Sequence, residues 1–189
     1  MHKVILALLA TVGAAVTSYA QQEQDMSGER PNHRVLVAYF SATGTTARVA
    51  GKVAQATGGE LYAITPAEAY TSADLDWNDT RSRSSEEMSD PASRPAIGGE
   101  TLSTADYDVI FLGYPIWWNL APRIVNTFVE SHDLNGKTVV PFATSGSSGI
   151  ANSAAALKEA YPDIDWKEGK LLNRASDGDI REWVGKLGY

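Results

Sequence analysis

The chain has 189 residues, a formal net charge of −7 and no cysteine, with an isoelectric point near 4.9. The length suits one domain better than two, and the acidic balance argues against a nucleic-acid partner. Lacking cysteine, the protein has no disulfide, thiolate metal site, iron–sulfur ligation, thiol nucleophile or lipidated N-terminal cysteine. Any redox chemistry must run on a borrowed group.

Met1-His2-Lys3 precedes an apolar run from Val4 to Val16, and Ser18 and Ala20 provide the small residues of a cleavage site. This three-part pattern reads as a secretory signal over residues 1–20, cut after Ala20. The run falls short of the roughly 20 apolar residues that span a bilayer. Lys3 is its only charged residue, so of 16 basic residues 15 remain against 23 acidic ones, a net of −8. Residues 21–33 are polar, lack an apolar period and read as a tether; residues 34–189 form the domain. The expected product is exported, periplasmic or secreted, without a transmembrane segment once the signal is gone. Asn78-Asp79-Thr80 matches a glycosylation sequon.

Val35 to Phe40 is a short, continuous apolar run, as expected for a strand covered on both faces. The loop Ser41 to Thr46 leads to a helix from Ala47 to Thr57 whose apolar face is Val49, Ala50, Val53 and Ala54, stopped by Gly58-Gly59. Leu61 to Ile64 is a second strand, closed by Pro66. The stretch from Thr65 to Thr101 breaks the rhythm and reads as a long solvated crossover, with one short exposed helix around Ser72–Ser89. Asp108 to Gly113 is the third strand. The next helix carries Pro122 in its first turn, where a missing N–H costs nothing. Thr138 to Ala143 is the fourth strand, with Pro141 expected at a bulge. A helix over Ile150 to Tyr161, a weak strand at Leu171-Leu172 and an amphipathic helix through Ile180, Trp183, Val184 and Leu187 end the chain. Strands alternating with helices imply an α/β fold: three layers around a doubly wound, five-stranded parallel sheet.

In such a sheet ligands bind beyond the carboxyl ends of the strands. Three unusual loops follow the first, third and fourth strands and converge on that edge. Ser41, Ala42, Thr43, Gly44, Thr45 and Thr46 offer hydroxyls and flexible amides at a helix N-terminus, suited to a phosphate held by dipoles; a hydroxyl-rich helix cap would use the same residues. There is neither G-x-x-x-x-G-K-[ST] nor G-x-G-x-x-G, which disfavours nucleotide triphosphates and Rossmann dinucleotides. Tyr114, Pro115, Ile116, Trp117, Trp118 and Asn119 put aromatics where a strand ends. Neighbouring tryptophans leaving a strand point to opposite sides, so one is expected in the core and the other as an exposed wall for a planar ring. Asn119 tolerates a left-handed backbone. Thr144, Ser145, Gly146, Ser147, Ser148 and Gly149 form a small polar loop that lets a heterocycle approach the backbone. Together they describe a planar heterocycle on a phosphorylated polyol.

Tyr39 to Thr46 (YFSATGTT), Gly113 to Trp118 (GYPIWW) and Pro141 to Gly149 (PFATSGSSG) occur in that order, and from about Arg34 to the C-terminus the sequence resembles the flavodoxin family. The resemblance implies a sheet in the order 2-1-3-4-5 and one non-covalent FMN. It implies that Ser41 through Thr46 hold the phosphate, that Pro115 through Asn119 line the isoalloxazine with Trp117 as the stacking ring, and that Thr144 through Gly149 contact the ribityl–ring edge. Asn119 stands where relatives often have glycine. The 65–101 segment matches only at Tyr70 and Arg94-Pro95.

The expected function is an exported FMN-binding electron carrier serving a redox partner protein or a small-molecule acceptor. The alternatives are an FMN-dependent NAD(P)H quinone or nitro reductase and a flavin-free scaffold. No catalytic side chain and no metal ligand set is expected. Ser131-His132-Asp133 are sequence neighbours rather than a triad assembled in space, and Gly146-Ser147-Ser148-Gly149 is not a G-x-S-x-G elbow.

Overall fold

The computed structural model describes residues 33–189; the signal and all of the tether except His33 lie outside the described residues. The first strand, β1 (Val35–Tyr39), is followed by α1 (Thr45–Thr57) and β2 (Glu60–Ala63). Two short strands, β3 (Thr65–Pro66) and β4 (Ile97–Gly98), bracket α2 (Arg83–Ser89). Then come β5 (Val109–Pro115), α3 (Arg123–Ser131), β6 (Thr138–Thr144), α4 (Ala151–Ala160), β7 (Asp165–Trp166), β8 (Lys170–Leu171) and α5 (Asp177–Lys186).

The main sheet runs β2-β1-β5-β6-β7, with β8 also on β6, and every pairing in it is parallel. By position this is the order 2-1-3-4-5, the fifth place being shared by β7 and β8. Strand alternation sorts the two faces. Leu36, Ala38, Ile110, Leu112 and Tyr114 pack with Ile124, Val125 and Phe128 of α3 and Leu157 of α4. Val35, Val37, Phe111 and Phe142 pack with Val49 and Val53 of α1 and Ile180, Trp183 and Val184 of α5. Helices therefore cover both faces. On the second face Gly113 lies beneath the Phe142 ring, where a Cβ would come within 2.2 Å of Cζ.

Pro141 does not sit at a bulge. Its register against β5 is unbroken, Val140 facing Phe111, Pro141 facing Leu112 and Phe142 facing Gly113. The interruption falls in the neighbouring strand. Val139 and Ala143 accept bonds from Lys167 and Leu172 on the outer side, so the missing Pro141 N–H also faces outward. The outer strand breaks opposite it into β7 and β8, and Gly169 between them packs on the proline ring.

The 65–101 segment is more structured than a solvated crossover. β3 and β4 pair antiparallel and tie its two ends together. The helix covers only Arg83–Ser89; Thr71 to Arg81 instead turns on side-chain bonds, Asp74 accepting from the Thr71 amide and hydroxyl and Asp79 from the Arg81 amide. Arg94 makes a two-point ion pair with Glu130 of α3, at 2.7 and 2.8 Å. At the opposite end of β1 from its loop, the His33 and Tyr189 rings meet edge to face, 5.5 Å apart.

Candidate functional site

The three loops and part of the 65–101 segment enclose a cavity of about 780 Å³. None of the side chains lining it is charged. It is built from hydroxyls at one end and indoles at the other.

The hydroxyl end is the entry to α1. Gly44 takes the N-cap position in a left-handed conformation (φ 85°), and no side chain caps the helix. The Ser41 hydroxyl accepts from the Gly44 amide at 3.1 Å instead of reaching the first helical turn. The capping alternative for this loop is therefore not what forms. The first-turn amides and the Thr43 and Thr45 hydroxyls stay open to the cavity, where the helix end favours an anion. Thr46 is buried, its hydroxyl sharing a 2.8 Å bond with that of Thr144. That bond ties the first loop to the third.

The aromatic end is a tight turn. Trp117 and Leu120 exchange both backbone bonds, at 3.0 and 2.8 Å, while Trp118 and Asn119 have φ of 44° and 66°. Two successive left-handed residues closed in this way form a type I′ turn, for which tryptophan is a strained choice. Trp117 is half-buried, edge to face with Phe40 at 5.6 Å and with Tyr70 at 5.4 Å. Trp118 is 49% exposed. Trp117 is thus the inner indole and Trp118 the outer, and both line the cavity. Asn152 at the start of α4 donates to the Asn119 carbonyl at 3.1 Å, and the Ile116 amide donates to the Thr144 carbonyl at 2.8 Å.

Tyr114 does not line the cavity. The strand runs on to Pro115, so Tyr114 keeps its alternation and points into the α3–α4 layer, fully buried. Its hydroxyl lies 3.2 Å from that of Ser153, and burial pushes its pKa up to about 12. Gly44 and Gly149 also stay off the cavity wall. The other residues named from the three loops, Ser41 through Thr43, Thr45, Thr46, Pro115 through Asn119 and Thr144 through Ser148, all reach it.

Four lining residues lie outside those loops: Leu75, Trp77, Ser84 and Asn173. Asn173 clamps the third loop, its carbonyl accepting from the Ser145 amide at 2.7 Å while its amide donates back to the Ser145 carbonyl. Leu75, Trp77 and Ser84 come from the 65–101 segment, which the charged composition masks. Two apolar residues amid Asp74, Asp76 and Asp79 are the available sequence signal. Behind them Tyr70 donates to Glu87 at 2.5 Å, Arg83 bonds the other Glu87 oxygen at 2.7 Å, and the Arg83 guanidinium lies 4.1 Å over the Tyr70 ring. Burial, reinforced by the Glu87 carboxylate, raises the Tyr70 phenol well above its ordinary range. This cluster fixes the edge against which Trp117 packs.

Ser131 and His132 form no nucleophile–base pair. His132 follows the last turn of α3 and its Nδ1 lies 2.8 Å from the Phe128 carbonyl, so it donates there and has no lone pair to take a proton from Ser131. Among the described residues no group of three or more His, Asp or Glu side chains gathers as a metal site, and no helix is long and apolar enough to cross a membrane.

Residues 34–187 match the family model described as Flavodoxin. Two crystal structures assigned as flavoproteins are similar throughout. The one from Bacteroides eggerthii is 63% identical, with a TM-score of 0.81, over 84% of this chain and 99% of that one. The one from Bacteroides uniformis is 58% identical, with a TM-score of 0.79, over 82% and 99%. A flavoprotein from Lactobacillus acidophilus, solved in complex with FMN, shares the fold at 19% identity and a TM-score of 0.65, over 80% and 99%. No curated protein matches the chain. The three-layer sheet, the loops at its carboxyl edge and these matches agree: the chain belongs to the flavodoxin family.

Proposed function

We propose that the protein is an exported electron-transfer flavoprotein that holds FMN non-covalently in the 780 Å³ cavity. The observation that carries this reading is the uncapped N-terminus of α1 facing two indoles across one uncharged cavity. A terminal phosphate fits the open amides and the hydroxyls of Thr43 and Thr45, and a planar ring fits against Trp117 and Trp118. The FMN complex of the Lactobacillus acidophilus relative supports the choice of cofactor. FMN supplies the electron-carrying chemistry when bound. The chain's own residues bind it, orient its ring and exclude water. Export rests on residues 1–20, and the acidic surface favours basic partners with salt-sensitive association.

The deciding measurement is the visible spectrum of the purified protein before and after adding FMN. A stoichiometric flavin band is expected; a colourless protein that takes up no FMN contradicts the reading and favours the scaffold. With no cation on the cavity wall, added negative charge on the ring is disfavoured, and a bound midpoint potential below that of free FMN is expected. A potential at or above the free value contradicts that part. For export, mass spectrometry of protein from the periplasm or medium should find Gln21 at the N-terminus.

A further inference from the structure

We infer that a second, smaller cavity, between α3, α4 and the Pro91–Arg94 stretch, is a binding site for a small monocarboxylate with an apolar tail. It is independent of the flavin reading. The cavity holds about 300 Å³. Leu120, Ala156 and Leu157 give it an apolar side, and Arg94, Arg123 and Asn126 a polar one. It shares no lining residue with the 780 Å³ cavity. One turn joins them: Leu120 lines the smaller, and Trp117, with which it exchanges both backbone bonds, lines the larger.

The charged groups on this wall are paired, with one exception. Arg94 spends its guanidinium on both Glu130 oxygens and on the Pro91 and Ser93 carbonyls. Glu130 also accepts from the Tyr161 hydroxyl, which in turn accepts from the Asn126 side-chain amide at 3.0 Å. Asn126 is 8% exposed, and its second amide N–H is uncommitted. Arg123 is the exception. Among the described residues no carboxylate lies within ion-pair distance of it. Its side chain makes a single bond there, from Nη2 to the Met88 carbonyl at 3.2 Å; Nη1 bonds nothing, and Nε is buried without a partner. A buried charged donor without a bond is costly, and a ligand that accepts from the guanidinium offsets that cost.

The wall selects the ligand. Two guanidinium groups against one carboxylate leave it a net single positive charge, in a chain whose overall charge is −7. Arg123 is also the first residue of α3, whose N-cap, Pro122, supplies no side-chain cap, so the helix end adds to the pull on an anion. One net charge matches a monoanion, and a second negative charge would crowd Glu130. A carboxylate suits the planar guanidinium. Leu120, Ala156 and Leu157 then take an alkyl chain of a few carbons out of water.

The test titrates hexanoate into the purified protein, labelled with nitrogen-15, and follows the amide shifts. Residues 120–126 and 156–161 should shift saturably, with a dissociation constant of about 1 mM or tighter. Hexanamide keeps the tail and loses the charge; inorganic phosphate keeps the charge and loses the tail. Each should bind roughly tenfold more weakly or worse. Arg123→Gln should weaken hexanoate by a similar factor while the urea midpoint stays near the parent's, and Arg123→Lys should recover part of the loss. Ala156→Leu keeps Arg123 and fills the cavity, so it should block hexanoate too, and it decides the matter if Arg123→Gln fails to fold. The absence of any saturable shift overturns the proposal, as does unchanged affinity in Arg123→Gln or in Ala156→Leu. Hexanamide binding as well as hexanoate overturns it, and so does phosphate doing so, which would make the cavity a plain anion site. Shifts confined to residues 41–46 and 115–119 also overturn it, placing hexanoate in the larger cavity.

Discussion

Two walls of one cavity are held by different forces. The loops at the sheet edge hang from strands whose side chains are almost wholly buried, and their positions follow from the register of β1, β5 and β6. The 65–101 wall has one seven-residue helix and a two-residue ladder; it is held by ion pairs, a phenol–carboxylate bond and aspartate-capped turns. The first wall is stabilised mainly by apolar burial, which is non-directional and large. The second depends on directional bonds that each add about 1 kcal/mol. The cavity thus has a rigid side and a side able to open locally without unfolding the domain.

Four measurements probe that division, taken here from the largest expected effect to the smallest. Gly113→Ala drives a methyl into the Phe142 ring and should cost about 3 kcal/mol in urea unfolding, the whole domain losing stability together. A loss confined to the cavity would break the view that the sheet sets the rigid wall. Glu87→Ala leaves Arg83 and Tyr70 without their shared carboxylate; with the two ionic side chains 25% and 11% exposed, the expected cost is about 2 kcal/mol. Hydrogen exchange should quicken through residues 71–95 and stay unchanged in β1, β5 and β6. Equal quickening in the sheet would show the two walls to be one cooperative unit.

Thr46→Val leaves the buried Thr144 hydroxyl without its partner and should cost about 1 kcal/mol, loosening the first loop against the third and weakening FMN binding. The smallest effect is electrostatic. The Arg94 guanidinium holds the Glu130 carboxyl below the usual carboxylate range. A folded pKa lower than the unfolded one means that this stabilisation is complete above the unfolded value and fades as pH falls through the folded one. Acid unfolding should therefore begin slightly earlier in Glu130→Gln at low salt, and the difference should shrink at high salt because the pair is partly exposed.

The sheet side was readable from sequence because period-2 burial and continuous apolar runs leave a strong pattern: Val35 to Phe40 and Thr138 to Ala143 needed no tertiary information. The convergence of the three loops followed from parallel connectivity alone. Tyr114 was misplaced by a boundary. Two more residues of strand carry its ring into the core, and strand ends depend on pairing that a single sequence does not show. Pro141 hides a similar lesson, since a missing donor interrupts whichever neighbour it faces, and only the fold says which that is. Trp77, Leu75 and Ser84 escaped because their wall is assembled by side-chain-to-backbone bonds among Asp, Ser and Thr, residues that in composition look solvated. Asn173 escaped because its clamp on Ser145 spans 28 residues without a local signature.

The contact between His33 and Tyr189 has a practical corollary. The domain begins and finishes at one spot, at the far end of the strands from the cavity. A short Gly/Ser linker joining these ends should be tolerated in a circular permutant. A bead, an electrode or a second protein attached there would also leave the cavity mouth facing outward, free to meet whatever exchanges electrons with it.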